Sequence, residues 1–155
     1  MTTTAKPLTV LMADDDEDDR SFIMKAWAEG GADSDLRFVE DGEQLTDYLN
    51  HRGRYSDPSS APRPALMLLD LNMPRKDGRA ALREIKANPD LRQIPIVVLT
   101  TSQAEEDICC SYDLGANSFI TKPVTFKSLV NVLHVLEEYW TQVVDLPLED
   151  FGARN

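Results

Sequence analysis

Five short apolar runs alternate along the chain with longer stretches in which apolar positions recur every three or four residues. The runs fall at residues 8–13, 36–39, 65–69, 94–99 and 118–121. The first, third and fourth are apolar almost without interruption, the pattern of strands covered on both faces. The stretches between and after them, at about 16–29, 43–51, 78–87, 103–114 and 125–141, carry helical periodicity. Asp16 stands where an N-cap belongs, the acids after it suit the positive end of a helix, and Gly115 marks a helix C-terminus. Strand and helix alternating five times predict an α/β fold: a doubly wound, five-stranded parallel sheet with helices on both faces.

One stretch breaks the rhythm. Residues 53–64 hold three Pro and three Ser just before the third strand and read as a surface insert. The pattern thus predicts an N-terminal tail at 1–7, one domain at 8–141 and a C-terminal extension at 142–155, too short for a second domain. The last helix carries more apolar surface than one sheet face requires. Leu129, Leu133 and Leu136 lie on its main stripe, and Val132, Val135 and Tyr139 add a second. That second stripe predicts a homodimer through the fourth helix, fifth strand and fifth helix, or else a tail at 142–150 folding back over it.

Composition narrows the function. The 155 residues hold 16 basic and 27 acidic side chains, a net charge of -11, with none of the basic excess that nucleic acid or an anionic membrane would require. An apolar fraction of 42% is enough for a packed core. Two adjacent cysteines, Cys109 and Cys110, exclude a disulfide scaffold, and two separated histidines, His51 and His134, exclude a structural zinc site. No secretory leader and no long apolar span are present, which predicts a cytoplasmic protein. The first 60 residues hold 14 of the acids, and six run consecutively at 14–19. An EF-hand loop does not fit this block, because its glycine position is Asp19 and its bidentate glutamate position is Lys25.

In open parallel sheets, ligands bind beyond the carboxyl ends of the strands, beside the point where strand order reverses. Those ends carry Asp14-Asp15, Asp70, Thr100 and Lys122-Pro123. With strand order 2-1-3-4-5, the three carboxylates converge with a hydroxyl and an ammonium opposite. Two like charges about 4 Å apart repel by roughly 4 kcal/mol at an effective dielectric near 20, so such a cluster raises its own pKa values or recruits a cation. Hard oxygen ligands without Cys or His suit Mg²⁺ (or Mn²⁺). A carboxylate beside that ion is a competent nucleophile toward phosphorus, and Lys122 and Thr100 can neutralise phosphoryl oxygens. These residues describe a phosphoaspartate site with Asp70 as acceptor.

The same set resembles a two-component response-regulator receiver domain: Asp14-Asp15, Leu-Leu-Asp70-Leu-Asn-Met-Pro74 with Asp77-Gly78, Val-Leu-Thr100-Thr101 and Lys122-Pro123. The match runs from about residue 8 to 141. The resemblance implies phosphorylation of Asp70 by a phosphohistidine on a sensor kinase, and Mg²⁺ held by Asp14, Asp15, Asp70 and the backbone carbonyl of Asn72. It further implies that Thr100 swings toward the phosphoryl group, that Phe119 is the buried aromatic that follows it, and that Lys122 precedes a cis Pro123. The 53–64 insert, Asn88-Pro-Asp-Leu91, Leu99-Thr-Thr-Ser102, Ala116-Asn117 and the tail Tyr139-Trp140 followed by Leu146-Pro147 resemble, more narrowly, small single-domain regulators partnered with bacterial phytochromes. Thr101 and Phe119 depart from the Ala or Gly and the Tyr common at those positions.

Two other readings compete. Asp-x-Asp after the first strand also fits a haloacid-dehalogenase-type phosphatase, with Asp14 as nucleophile and Asp16 as acid, although Glu17 replaces the expected Gly. An interaction module that is never phosphorylated is the third reading. On the receiver reading the protein is no enzyme, beyond slow self-dephosphorylation. Asp16 through Asp19 are expected to be a solvated helix start. Cys109 and Cys110 are expected to be structural, and the two histidines to lie at the surface. Arg75, Lys76, Arg79, Arg83 and Lys86 form either a solvated helix face or a dock for an acidic kinase surface.

Overall fold

The computed structural model describes residues 8–31, 34–73, 75–101, 104–143 and 146, with side chains at 105, 106, 142 and 143 left out. Five strands, β1 (Thr9–Ala13), β2 (Asp35–Val39), β3 (Leu66–Leu69), β4 (Ile96–Thr100) and β5 (Ser118–Thr121), pair in parallel in the order β2-β1-β3-β4-β5. Between and after them lie α1 (Glu17–Glu29), α2 (Gly42–Leu49), α3 (Gly78–Ala87), α4 (Glu105–Asp113) and α5 (Phe126–Glu138). The doubly wound fold expected from the apolar runs is the fold observed.

Strand periodicity splits the core into two layers. On one face Leu11, Met67, Leu69, Ile96 and Val98 pack against Leu45, Tyr48 and Leu49 of α2 and Ala81, Leu82 and Ile85 of α3. On the other, Val10, Met12, Leu68, Val97 and Leu99 meet Ile23, Ala26 and Trp27 of α1 and Leu129, Leu133 and Leu136 of α5. Phe22 and Phe126 join α1 to α5 edge to face, with ring centroids 5.2 Å apart. β1, β3 and β4 are buried along their whole length, which explains their unbroken apolar sequences.

Local chemistry sets where the helices begin. Asp16 caps α1 by accepting from the amides of Asp18 and Asp19, and Asp41, Asp77 and Thr125 cap α2, α3 and α5 in the same manner. α4 has no such cap. Gly115, at φ +104°, follows the end of α4 as expected of a helix stop. α5 closes at Glu138 and continues as one π turn over Tyr139–Val143, earlier than the helix to 141 that the sequence implied. The rest of the C-terminal extension, apart from Leu146, lies outside the described residues.

The 53–64 insert is built rather than loose. It holds two 3₁₀ turns (Gly53–Tyr55 and Pro58–Ser60) and is fastened by the Tyr48 hydroxyl donating to the Pro62 carbonyl at 2.8 Å. His51, expected at the surface, is half-buried at φ +54° with Nε2 2.9 Å from the Ala61 carbonyl oxygen. Among the described residues no peptide bond is cis, so the cis Lys122–Pro123 bond implied by the resemblance is corrected to trans. The trans form is the lower in energy, and here the Lys122 amide donates to the Thr100 carbonyl at 2.7 Å to hold the turn.

Candidate functional site

The carboxyl ends of β1, β3, β4 and β5 deliver Asp14, Asp70, Thr100 and Lys122 to one crevice. Register does this directly. Ala13 pairs with Leu69, and the Asp70 amide donates to the Ala13 carbonyl at 3.0 Å, so the next residue of each strand opens onto the same space. The Lys122 ammonium donates to Asp14 Oδ2 at 2.7 Å, to Asp19 Oδ2 at 2.7 Å and to Asp70 Oδ2 at 3.0 Å. The Thr100 hydroxyl donates to Asp70 Oδ1 at 2.9 Å, and the Asn72 amide donates to the same oxygen at 3.1 Å. Asp14 and Thr100 are wholly buried, and Asp70 nearly so.

Burial and charge pull against each other in this crevice. The Asp14 carboxyl is pushed up from its ordinary 3.8 to about 6, chiefly by burial; the hydrogen bond and charge of Lys122 and the Asp16 amide oppose the rise, and the charge of Asp70 adds to it. Mutual repulsion of carboxylates, the cause expected from the sequence, is therefore the smaller one. Burial works against the Lys122 ammonium as well, but its bonds to Asp14 and Asp19 and the charge of Asp70 outweigh this and raise it above the ordinary lysine range. One oxygen from each of Asp14, Asp15 and Asp70 lies within 4.8 Å of the others, with Asp15 exposed at the mouth. Three hard carboxylate donors at that spacing can hold a divalent cation such as Mg²⁺.

Two residues here were not legible as site residues. Asp19 was expected to be solvated yet is bonded to Lys122, while the Arg20 guanidinium donates to the Asp14 carbonyl at 2.8 Å and steadies the turn. Asp16, the acid of the phosphatase reading, is exposed, and its carboxylate is engaged in capping α1. Phe119 is half-buried rather than buried, packed against the α2/α3-side core, with its amide donating to the Tyr112 hydroxyl of α4 at 3.2 Å. In register it sits opposite Val98, one step along the same sheet face from Thr100.

Other sequence candidates separate from the crevice. Val135 and Tyr139 are exposed, but Val132 is half-buried against the core and leaves the proposed dimer stripe. The basic group is mostly paired within the chain. Arg75 lies 3.6 Å from Asp41, Lys76 2.6 Å from Glu84 and Arg79 2.6 Å from Asp107, and Lys86 donates to the Arg92 carbonyl at 2.9 Å, which leaves Arg75 and Arg83 as the exposed members. Cys109 is exposed and Cys110 half-buried on α4, both as free thiols.

A five-stranded 2-1-3-4-5 sheet with this acid, hydroxyl and ammonium set at its switch point defines a class. Residues 10–134 match the response regulator receiver domain, and the chain belongs to that family. Among its relatives is the response regulator Rcp1 of Synechocystis sp., 40% identical over 141 residues that cover 91% of this chain and 94% of Rcp1. The crystal structure of Mn²⁺-bound Rcp1 superposes with a TM-score of 0.81 at 40% identity, covering 91% of this chain and 99% of that one. The phosphorylated cyanobacterial phytochrome response regulator RcpA gives 0.84 at 40% identity, with coverage of 91% and 99%. Response regulator RPA3017, from red light signaling in R. palustris, gives 0.86 at 37% identity, with coverage of 90% and 98%. No helix among the described residues is long and apolar enough to cross a membrane.

Proposed function

We propose that this protein is a cytoplasmic response regulator that accepts a phosphoryl group on Asp70 from the phosphohistidine of a sensor kinase. The observation that carries the reading is the convergence of Asp14, Asp70, Thr100 and Lys122, from four strand ends, in one chain of hydrogen bonds running Thr100–Asp70–Lys122–Asp14. Asp14, Asp15, Asp70 and the Asn72 carbonyl would hold Mg²⁺ or Mn²⁺, a hard cation matched to their oxygen donors. Such an ion supplies neutralisation of the negative phosphoryl oxygens when bound.

In the transfer, an Asp70 oxygen forms a bond to phosphorus while the P–N bond to the kinase histidine breaks and leaves its electron pair on the imidazole. Lys122 donates an N–H to a phosphoryl oxygen. The Thr100 hydroxyl turns from Asp70 Oδ1 to do the same. That turn changes the space beside Phe119 on the shared sheet face, and the Phe119–Tyr112 bond links the change to α4. The added charge of roughly -1.5 to -2 is thereby read out on the α4–β5–α5 face. Val135 and Tyr139 make that face a dimer surface in this reading. Kinship with Rcp1 and RcpA supports a phytochrome-type kinase as partner. Self-dephosphorylation is a slow side reaction, so the protein acts as a switch rather than an enzyme.

Incubation with Mg²⁺ and acetyl phosphate followed by intact-mass measurement tests the reading. Uptake is expected in the parent, sharply reduced in Asp14→Asn and lost in Asp70→Asn. Persistent uptake in Asp70→Asn, or none in the parent, would overturn it.

A further inference from the structure

Lys122 has three N–H donors, and three carboxylates take all of them. Asp14 and Asp70 come from strand ends, but the third acceptor comes from the first turn of α1. Asp19 is the third residue of that helix, and its amide is tied to the Asp16 cap at 3.2 Å. Phosphoryl transfer as proposed above needs at least one Lys122 donor, so one acceptor must give way. The three differ in what release would cost them. The Asp14 side chain has no exposure, and that of Asp70 has 10%, so neither regains much water. The Asp19 side chain is 39% exposed and can be rehydrated where it stands.

We infer that Asp19 is a resting-state latch on Lys122, occupying the N–H donor that the phosphoryl group requires and yielding it on phosphorylation. Asp19 is thus a positioning residue acting through Lys122, and the inference rests on Asp70 being the phosphoacceptor. The resting state contains the Asp19–Lys122 bond and the phosphorylated state does not, so weakening that bond favours phosphorylation. Partly exposed ion pairs are worth roughly 0.2–1 kcal/mol, which converts to a rate gain of about 1.4- to fivefold.

The test is the rate of phosphoryl uptake from acetyl phosphate at saturating Mg²⁺, read by intact mass. Asp19→Asn is expected to be faster than the parent within that range, and Asp19→Glu, which restores the charge, to return toward the parent rate. Glu17→Gln and Asp18→Asn remove the same charge from the same turn without touching Lys122, and both are expected to leave the rate unchanged. In a Lys122→Met background the Asp19→Asn gain is expected to vanish. An unchanged or slower rate in Asp19→Asn, an equal gain in the Glu17 or Asp18 variants, or a gain that persists without Lys122 overturns the latch. Failure of the parent to take up phosphate at all would overturn the phosphoacceptor reading instead, so the two failures are distinguishable.

Discussion

Asp14 shows how one buried side chain can set the balance between stability and function. Folded, it holds its proton up to about pH 6, whereas the unfolded chain releases it near 3.8. The folded state therefore binds more protons between those values, and the stability contributed by Asp14 falls as pH rises through them. The loss is on the order of 3 kcal/mol by pH 7. Denaturant unfolding without divalent cations is expected to show Asp14→Asn gaining on the parent from pH 4 to 7, and a pH-independent difference would contradict this. Asp14, Asp70 and Lys122 could be placed from sequence because each directly follows a strand. Asp19 could not. An acid in the first turn of a helix looks the same whether solvated or paired, and its partner is 103 residues away. Phe119 was misjudged for a related reason, since β5 is an edge strand whose residues are only half covered.

At the scale of elements, α3 is locked to the loop that carries Asp70 through Gly78. A Cβ there would stand 2.7 Å from Leu71 Cα and closer still to the Asp70 carbonyl oxygen, both of them backbone atoms that cannot step aside. The sequence Asp77-Gly78 thus has a packing reason: Asp77 caps the helix, and Gly78 lets it approach the loop that carries Asp70. Gly78→Ala is expected to lower stability by about 1–3 kcal/mol and to slow phosphoryl uptake by an order of magnitude or more, because the acceptor loop must shift. Thermal melting and the intact-mass assay read the two effects; uptake at the parent rate would contradict the steric argument. Element limits were legible to within a few residues, and their errors have local causes. β4 starts at Ile96 rather than at 94, since Pro95 has no N–H to offer a ladder. The basic group around α3 read as a free face because sequence could not place Asp41, Glu84 and Asp107 beside it.

At the scale of the whole molecule, strand order was legible because five apolar runs separated by helical stretches leave few right-handed parallel windings, and the acids sit where such a winding has its switch point. The α4–β5–α5 face was legible only in part. With Val132 half-buried against the core, the large apolar side chains exposed on α4, α5 and the turn after it are, among the described residues, Tyr112, Val135 and Tyr139. Sedimentation at tens of micromolar is expected to show a dimer that Val135→Lys with Tyr139→Ser converts to monomer. A monomeric parent, phosphorylated or not, would remove the dimer. The charge of -11 has two origins at this scale: a small share is the crevice itself, and the remainder is spread over exposed surface.

The proposed switch depends on Asp70 as the phosphoryl acceptor, and locating that group decides the matter. After brief exposure to Mg²⁺ and acetyl phosphate, proteolysis and fragmentation mass spectrometry are expected to place the modification on Asp70 as a hydroxylamine-sensitive acyl phosphate. A phosphoryl group on Asp14, or on any residue other than Asp70, would contradict the account.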